Sequence, residues 1–126
     1  MTGSHPYLEG RTLRGRVTFE RIEGGAFIRM HSKLEDREIP EGIALFGTDE
    51  RACSMLYFDE RGVARRYEVE LRADGFTWSR DDPKFAQRYQ VTIASDGRTM
   101  QGEGAMKKEG AEWEPDLRLS YTRVDE

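Results

Sequence analysis

Val63-Ala64-Arg65-Arg66-Tyr67-Glu68-Val69-Glu70-Leu71-Arg72, followed by Ala73-Asp74-Gly75, is the stretch that decides the fold. Val63, Tyr67, Val69 and Leu71 alternate with Ala64, Arg66, Glu68, Glu70 and Arg72. A period of two puts the apolar set on one face of a strand and the charged set on the other, whereas a helix would scatter both. Ala73-Asp74-Gly75 then carries tight-hairpin chemistry. Phe76 to Arg80 returns with Phe76 and Trp78 on one side, until Asp81-Asp82-Pro83 breaks it.

The same grammar runs outward in both directions. Upstream, Thr12 to Ile22 places Leu13, Gly15, Val17 and Phe19 together, and Glu23-Gly24-Gly25 turns the chain. Ala26 to Leu34 sets Ala26, Ile28, Met30, Ser32 and Leu34 against Phe27, Arg29, His31 and Lys33. Ile43 to Gly47 and Ala52 to Phe58 are short runs, apolar on both faces. Downstream, Phe85 to Ile93 alternates, Ser95-Asp96-Gly97 turns, and Thr99 to Met106 and Trp113 to Val124 complete the series. No 3.6-residue pattern is long enough for an internal helix; Asp82 to Tyr89 holds one turn at most. Sequential hairpins form an antiparallel meander, and a long meander removes its exposed edges by closing. The expected fold is all-β: an antiparallel meander of about nine strands closing into a barrel, with a sandwich as the alternative. It spans residues 1–126 as one domain, with residues 1–11 a loosely attached segment.

At 126 residues the chain is long enough for a core without disulfide or metal staples. A net charge of −4 with both signs interspersed provides no basic field for nucleic acid. No apolar run approaches the roughly 20 residues that span a bilayer, and the first ten residues are not a signal peptide. Cys53 is the only cysteine, so no intrachain disulfide forms and a cytoplasmic setting is expected. Sixteen arginines against four lysines read either as guanidinium forks for anions or as a coding bias.

The carboxy-terminal half carries Asp82-Pro83-Lys84-Phe85, Arg88-Tyr89, Asp96-Gly97-Arg98-Thr99-Met100, Gly102-Glu103-Gly104, Trp113-Glu114 and Leu119-Ser120-Tyr121-Thr122-Arg123-Val124. In this order they resemble the small bacterial lipocalin-like domains of unknown function. Those are distant relatives of the calycin barrels, which include lipocalins, fatty-acid-binding proteins and nitrobindins. The resemblance covers roughly residues 12 to 124 and implies a lipocalin-like, calycin-like barrel, with no assigned activity. One feature departs from it. Such domains open with a Gly-x-Trp strand, and His5-Pro6-Tyr7-Leu8-Glu9-Gly10 does not supply one. A missing first strand would leave the barrel incomplete, or leave an edge for another subunit.

Most site chemistries are poorly served. A metal site needs clustered ligands, and His5, His31 and Cys53 are isolated, so no metal is expected. A nitrobindin-like haem would need a late histidine, and none follows His31; no cofactor is expected. Ser32 points away from His31 across its strand, and neither Ser54 nor Cys53 lies in a nucleophile turn. Gly102-Glu103-Gly104 lacks the third glycine and the helix of a phosphate loop, and reads as room for curvature or close approach.

Polar residues on the apolar faces stand out. Arg65 lies with Tyr67, Gln87 with Phe85 and Tyr89, Arg80 with Trp78, and Arg123 with Tyr121. A buried guanidinium is costly without a partner. These groups either reach solvent at strand ends or line a wet cavity that holds a ligand anion. Met30, Met55, Met100 and Met106 suit a lining or a core equally. The expected ligand site is Arg65, Tyr67, Trp78, Gln87 and Tyr89, with catalytic residues unassigned. Three functions follow: a binder of a small amphipathic or anionic molecule; a cofactor-independent isomerase, cyclase or hydrolase; or a dimerising domain with a filled core. The two-sided apolar runs favour a homodimer, with neither nucleic acid nor membrane as partner.

Overall fold

Each alternating stretch becomes a strand in the computed structural model, which describes residues 2–4, 13–35, 39–48 and 52–123. In chain order these are β1 (Thr2–Ser4), β2 (Leu13–Ile22), β3 (Phe27–Leu34), β4 (Gly42–Thr48), β5 (Cys53–Asp59), β6 (Ala64–Arg72), β7 (Gly75–Arg80), β8 (Phe85–Ile93), β9 (Thr99–Lys108) and β10 (Glu114–Thr122). The only helical turn among the described residues is 3-10, Glu23–Gly25, inside the β2–β3 hairpin. Gly24 and Gly25 there take φ of 69° and 92°, a region that glycine enters without steric cost. The Asp82-Pro83 break forms no helix: Asp82 accepts the Lys84 backbone N–H at 2.9 Å, and β8 starts directly after it.

All pairings are antiparallel between sequence neighbours, except that β1 lies between β10 and β2 and closes the ring. The sequence leaves open whether an opening strand is present; Thr2–Ser4 takes that place, while the stretch 5–10 that lacks a Gly-x-Trp opening lies outside the described residues. Three residues were too short to display an alternating pattern, yet Thr2–Ser4 pairs with Arg118–Ser120 on one side and with Leu13 and Arg14 on the other. Residues 5–12, and with them most of the segment expected to be loosely attached, lie outside the described residues. The closure is narrow. Beyond Arg14, β2 is laddered to β3 alone among the described residues, and Phe19, though on the inner face, stays 44% exposed beside that seam.

Opposed residues share a face of an antiparallel sheet, so the register decides what enters the barrel. Tyr57 opposes Arg65, Met55 opposes Tyr67, Val69 opposes Trp78, Trp78 opposes Tyr89, and Arg80 opposes Gln87. Met30, Ala44, Met55 and Tyr67 form one buried cluster; Tyr89, Val91 and Leu119 form another. Trp78 packs against both. Around it stand Phe46, Phe76 and Tyr89, with ring centroids 5.9, 5.8 and 4.7 Å from the indole. This aromatic stack fills the end of the barrel that carries the β4–β5 and β6–β7 connections.

Trp78→Ala removes the group shared by both clusters and is expected to cost about 3 kcal/mol or more of stability. Leu71→Ala, at a side chain 69% exposed, should cost under about 0.5 kcal/mol. Urea melts of the two variants check the contrast.

Candidate functional site

The aromatic stack does not fill the whole interior. Above it lies a cavity of about 590 Å³, lined among others by Arg65, Tyr67, Trp78, Gln87 and Tyr89. All five residues singled out from the sequence therefore share one volume. Ile39 and Pro40 from the β3–β4 connection and Arg61 from the β5–β6 turn border the same volume, so its mouth is at the end opposite the aromatic stack. Of the four methionines, Met30, Met55 and Met106 line it, while Met100 packs in the second cluster.

Gln87 organises the polar wall. Its Oε1 accepts the Tyr67 hydroxyl at 2.6 Å and an Arg65 N–H at 3.2 Å, and its Nε2 donates to Asp116 Oδ2 at 3.3 Å. Arg65 also stacks over Phe85, 5.3 Å from the ring centroid. It makes no ion pair with a carboxylate among the described residues. A guanidinium has five N–H donors, and the contacts of Arg65 with Gln87 and the Tyr67 hydroxyl leave some of them without an acceptor among the described residues. Arg80 differs: it is held by Asp82 and the Phe85 carbonyl, both at 3.2 Å. Arg123 is exposed and does not line this cavity.

A second polar pair sits deeper. The Tyr89 and Tyr121 hydroxyls lie 2.6 Å apart, although Tyr89 is on β8, Tyr121 is on β10 and β9 runs between them. The reach depends on Gly102, whose missing side chain leaves the space that the Tyr89 phenol occupies; any Cβ there would collide with it. At the mouth, Tyr57 donates to Asp59 Oδ2 at 2.9 Å, and Arg61 grips the same carboxylate through its backbone and side chain.

Several lining residues were not legible beforehand. Asp116 enters the wall through a register irregularity between Pro115 and Arg118, which disrupts the strict alternation of β10. Tyr57 lies in a run apolar on both faces, where alternation cannot tell inside from outside. Tyr121 is partly buried, packs against the second cluster and also lines the cavity.

The electrostatics move the phenols away from neutrality. Burial raises Tyr89, Tyr57 and Tyr67, with the Tyr121 neighbour adding to Tyr89 and the Asp59 bond adding to Tyr57. Burial pushes Tyr121 up to about 12, against the opposing help of the Tyr89 hydroxyl. Burial works against the charge on Asp59, but its bonds from Arg61 and Tyr57 outweigh that and hold it at about 2. Burial also raises the Cys53 thiol, which disfavours the nucleophilic thiolate. A proton-transfer group works best with a pKa near ambient pH, and each of these shifts leads away from it. Among the described residues no three metal-ligating side chains cluster, and no helix is long and apolar enough to cross a membrane.

No protein-family profile matches the chain, and none of the curated proteins compared with it is significantly similar.

The shifts set a pH dependence. A phenol whose folded pKa is raised from 10.0 to about 12 contributes stability that is complete below pH 10.0 and lost as pH rises through about 12. Asp59, lowered from 3.8 to about 2, contributes above pH 3.8 and loses its contribution as pH falls to about 2. Thermal melts should therefore show declining Tm above pH 10, with a shallower decline in the Tyr89→Phe/Tyr121→Phe double variant.

Proposed function

We propose that this chain is a lipocalin-like barrel that binds a small amphipathic molecule, apolar end inward and anionic head at Arg65. The observation that carries the reading is Arg65 itself: a half-buried guanidinium on a cavity wall with no carboxylate partner among the described residues. Charge-assisted, forked hydrogen bonds to a carboxylate or phosphate are what such a group does best. Below it, Trp78, Met30, Met55 and Leu119 offer apolar contact to the body of the ligand. A volume of about 590 Å³ suits one small molecule. The raised tyrosines support binding over catalysis, because a phenol held neutral is a hydrogen-bond donor and a poor acid or base at neutral pH. The free thiol of Cys53 suits a reducing compartment, and we place the protein in the cytoplasm.

The outer wall suggests a second copy of the chain as partner. Ile43 opposes Phe58 and Leu45 opposes Leu56 across β4 and β5. Ile43, Leu56 and Phe58 are each about two-fifths exposed, and Phe27 lies alongside over Gly47. The flanks carry both signs, Glu20 with Arg29 on one side and Arg66 with Glu68 on the other. Identical patches can therefore meet without like charges facing across the whole rim.

Two measurements test these readings. Anilinonaphthalene sulfonate and the uncharged phenylnaphthylamine share an apolar body. Arg65→Ala should weaken the sulfonate by about 1.5–3 kcal/mol, leave the neutral probe unchanged and shift Tm little. Lost stability with unchanged sulfonate binding would make Arg65 structural instead. For the outer wall, light scattering at high micromolar concentration should report a dimer that Leu56→Glu converts to monomer; a wild-type monomer would refute the pairing.

A further inference from the structure

Each phenol has one O–H to give. Around this cavity, Tyr67 gives its proton to Gln87 and Tyr57 gives its proton to Asp59. Tyr89 and Tyr121 hold two O–H groups but share one hydrogen bond, whichever of them donates. One O–H is therefore left over, and no protein acceptor takes it among the described residues. Both side chains line the cavity, in a neighbourhood of Trp78, Leu117 and Leu119. A donor unmet in apolar surroundings is costly, whereas phenylalanine at both positions would have kept the wall dry and the shape the same. β9 is moreover cut back to Gly102 to let the Tyr89 hydroxyl through.

Burial disfavours charge around the Tyr89 hydroxyl most, the Tyr121 neighbour adds to this and the Asp116 carboxylate adds last, so a second anion is disfavoured at this depth. The acceptor that fits is a neutral oxygen. We propose that the Tyr89–Tyr121 pair is a second polar subsite, which donates its spare O–H to a carbonyl oxygen on the body of the ligand. This rests on the reading of Arg65 as the anion site and narrows it: the ligand is an oxo acid rather than a plain hydrocarbon-chain acid.

The test is displacement of anilinonaphthalene sulfonate by decanoate and by a series of oxodecanoates whose ketone is walked along the chain. At least one ketone position should bind about threefold to tenfold tighter than decanoate. The variants make an unusual pattern. Tyr89→Phe or Tyr121→Phe alone leaves one phenol with its O–H free, so each single variant should keep a ketone preference. Only the double variant should lose it, every oxodecanoate then binding no tighter than decanoate does to that same variant. If decanoate displaces the dye and no ketone position improves on it, the subsite is overturned and the Arg65 reading stands. If a single variant abolishes the preference as fully as the double does, the sharing of one donor is overturned. If decanoate itself fails to displace the dye, the anion site falls, and this subsite falls with it. Should the double variant not fold, the wild-type series still decides.

Discussion

Trp78 touches two sets of apolar side chains that belong to opposite arcs of the wall, one from β3 to β6 and one from β8 to β10. A barrel of this circumference encloses more space than side chains reaching from one wall can fill. The indole, stacked with Phe76, tilted against Tyr89 and reached by Phe46, spans the gap at one end. The interior is thereby divided into a packed floor and a hollow above it. The register that brings Trp78 opposite Tyr89 also brings Arg80 opposite Gln87, one step nearer the mouth. Core and cavity are consecutive layers of one pattern.

The polar residues of the hollow are tolerated because they satisfy one another in chains. The amide of Gln87 has a single arrangement that serves its neighbours: oxygen toward Tyr67 and Arg65, nitrogen toward Asp116. Guanidinium and carboxylate are thus linked through a neutral spacer rather than paired directly. Direct pairing would neutralise the guanidinium and cost desolvation of both ions. The spacer keeps the positive charge available and fixes its position, and the Phe85 ring beneath supports it further. The same economy operates at the mouth, where Tyr57 and Arg61 converge on one carboxylate, Asp59.

How far the sequence exposed this arrangement differs from strand to strand. From β6 to β8 everything followed from parity. Arg65, Tyr67, Trp78, Gln87 and Tyr89 keep step with unmistakable apolar neighbours, and short turns leave little freedom in how the strands pair. Asp116 was hidden because an irregularity shifts the phase of β10 in mid-strand, an event with no marker in the residues themselves. Tyr57 was hidden because β5 is apolar on both faces, so its inner side is defined only by its neighbours. The opening strand was hidden by brevity: three residues carry no period. Gly102 is an intermediate case. Its pattern signalled close approach, but only the fold shows that the approaching group is a phenol from the next strand.

The narrow closure has a consequence for how the chain reaches this structure. Every pairing from β2 to β10 joins sequence neighbours, so each hairpin can zip onto the previous one at small entropic cost and without waiting for distant parts of the chain. β1 alone must find β10 from the other end of the chain, and it does so with three residues. Closing that longer loop carries the greater entropic cost, so topology favours a route in which the local hairpins pair first and β1 is captured last. The wall is built of local pairings, and the ring is completed by the shortest ladders among the described residues.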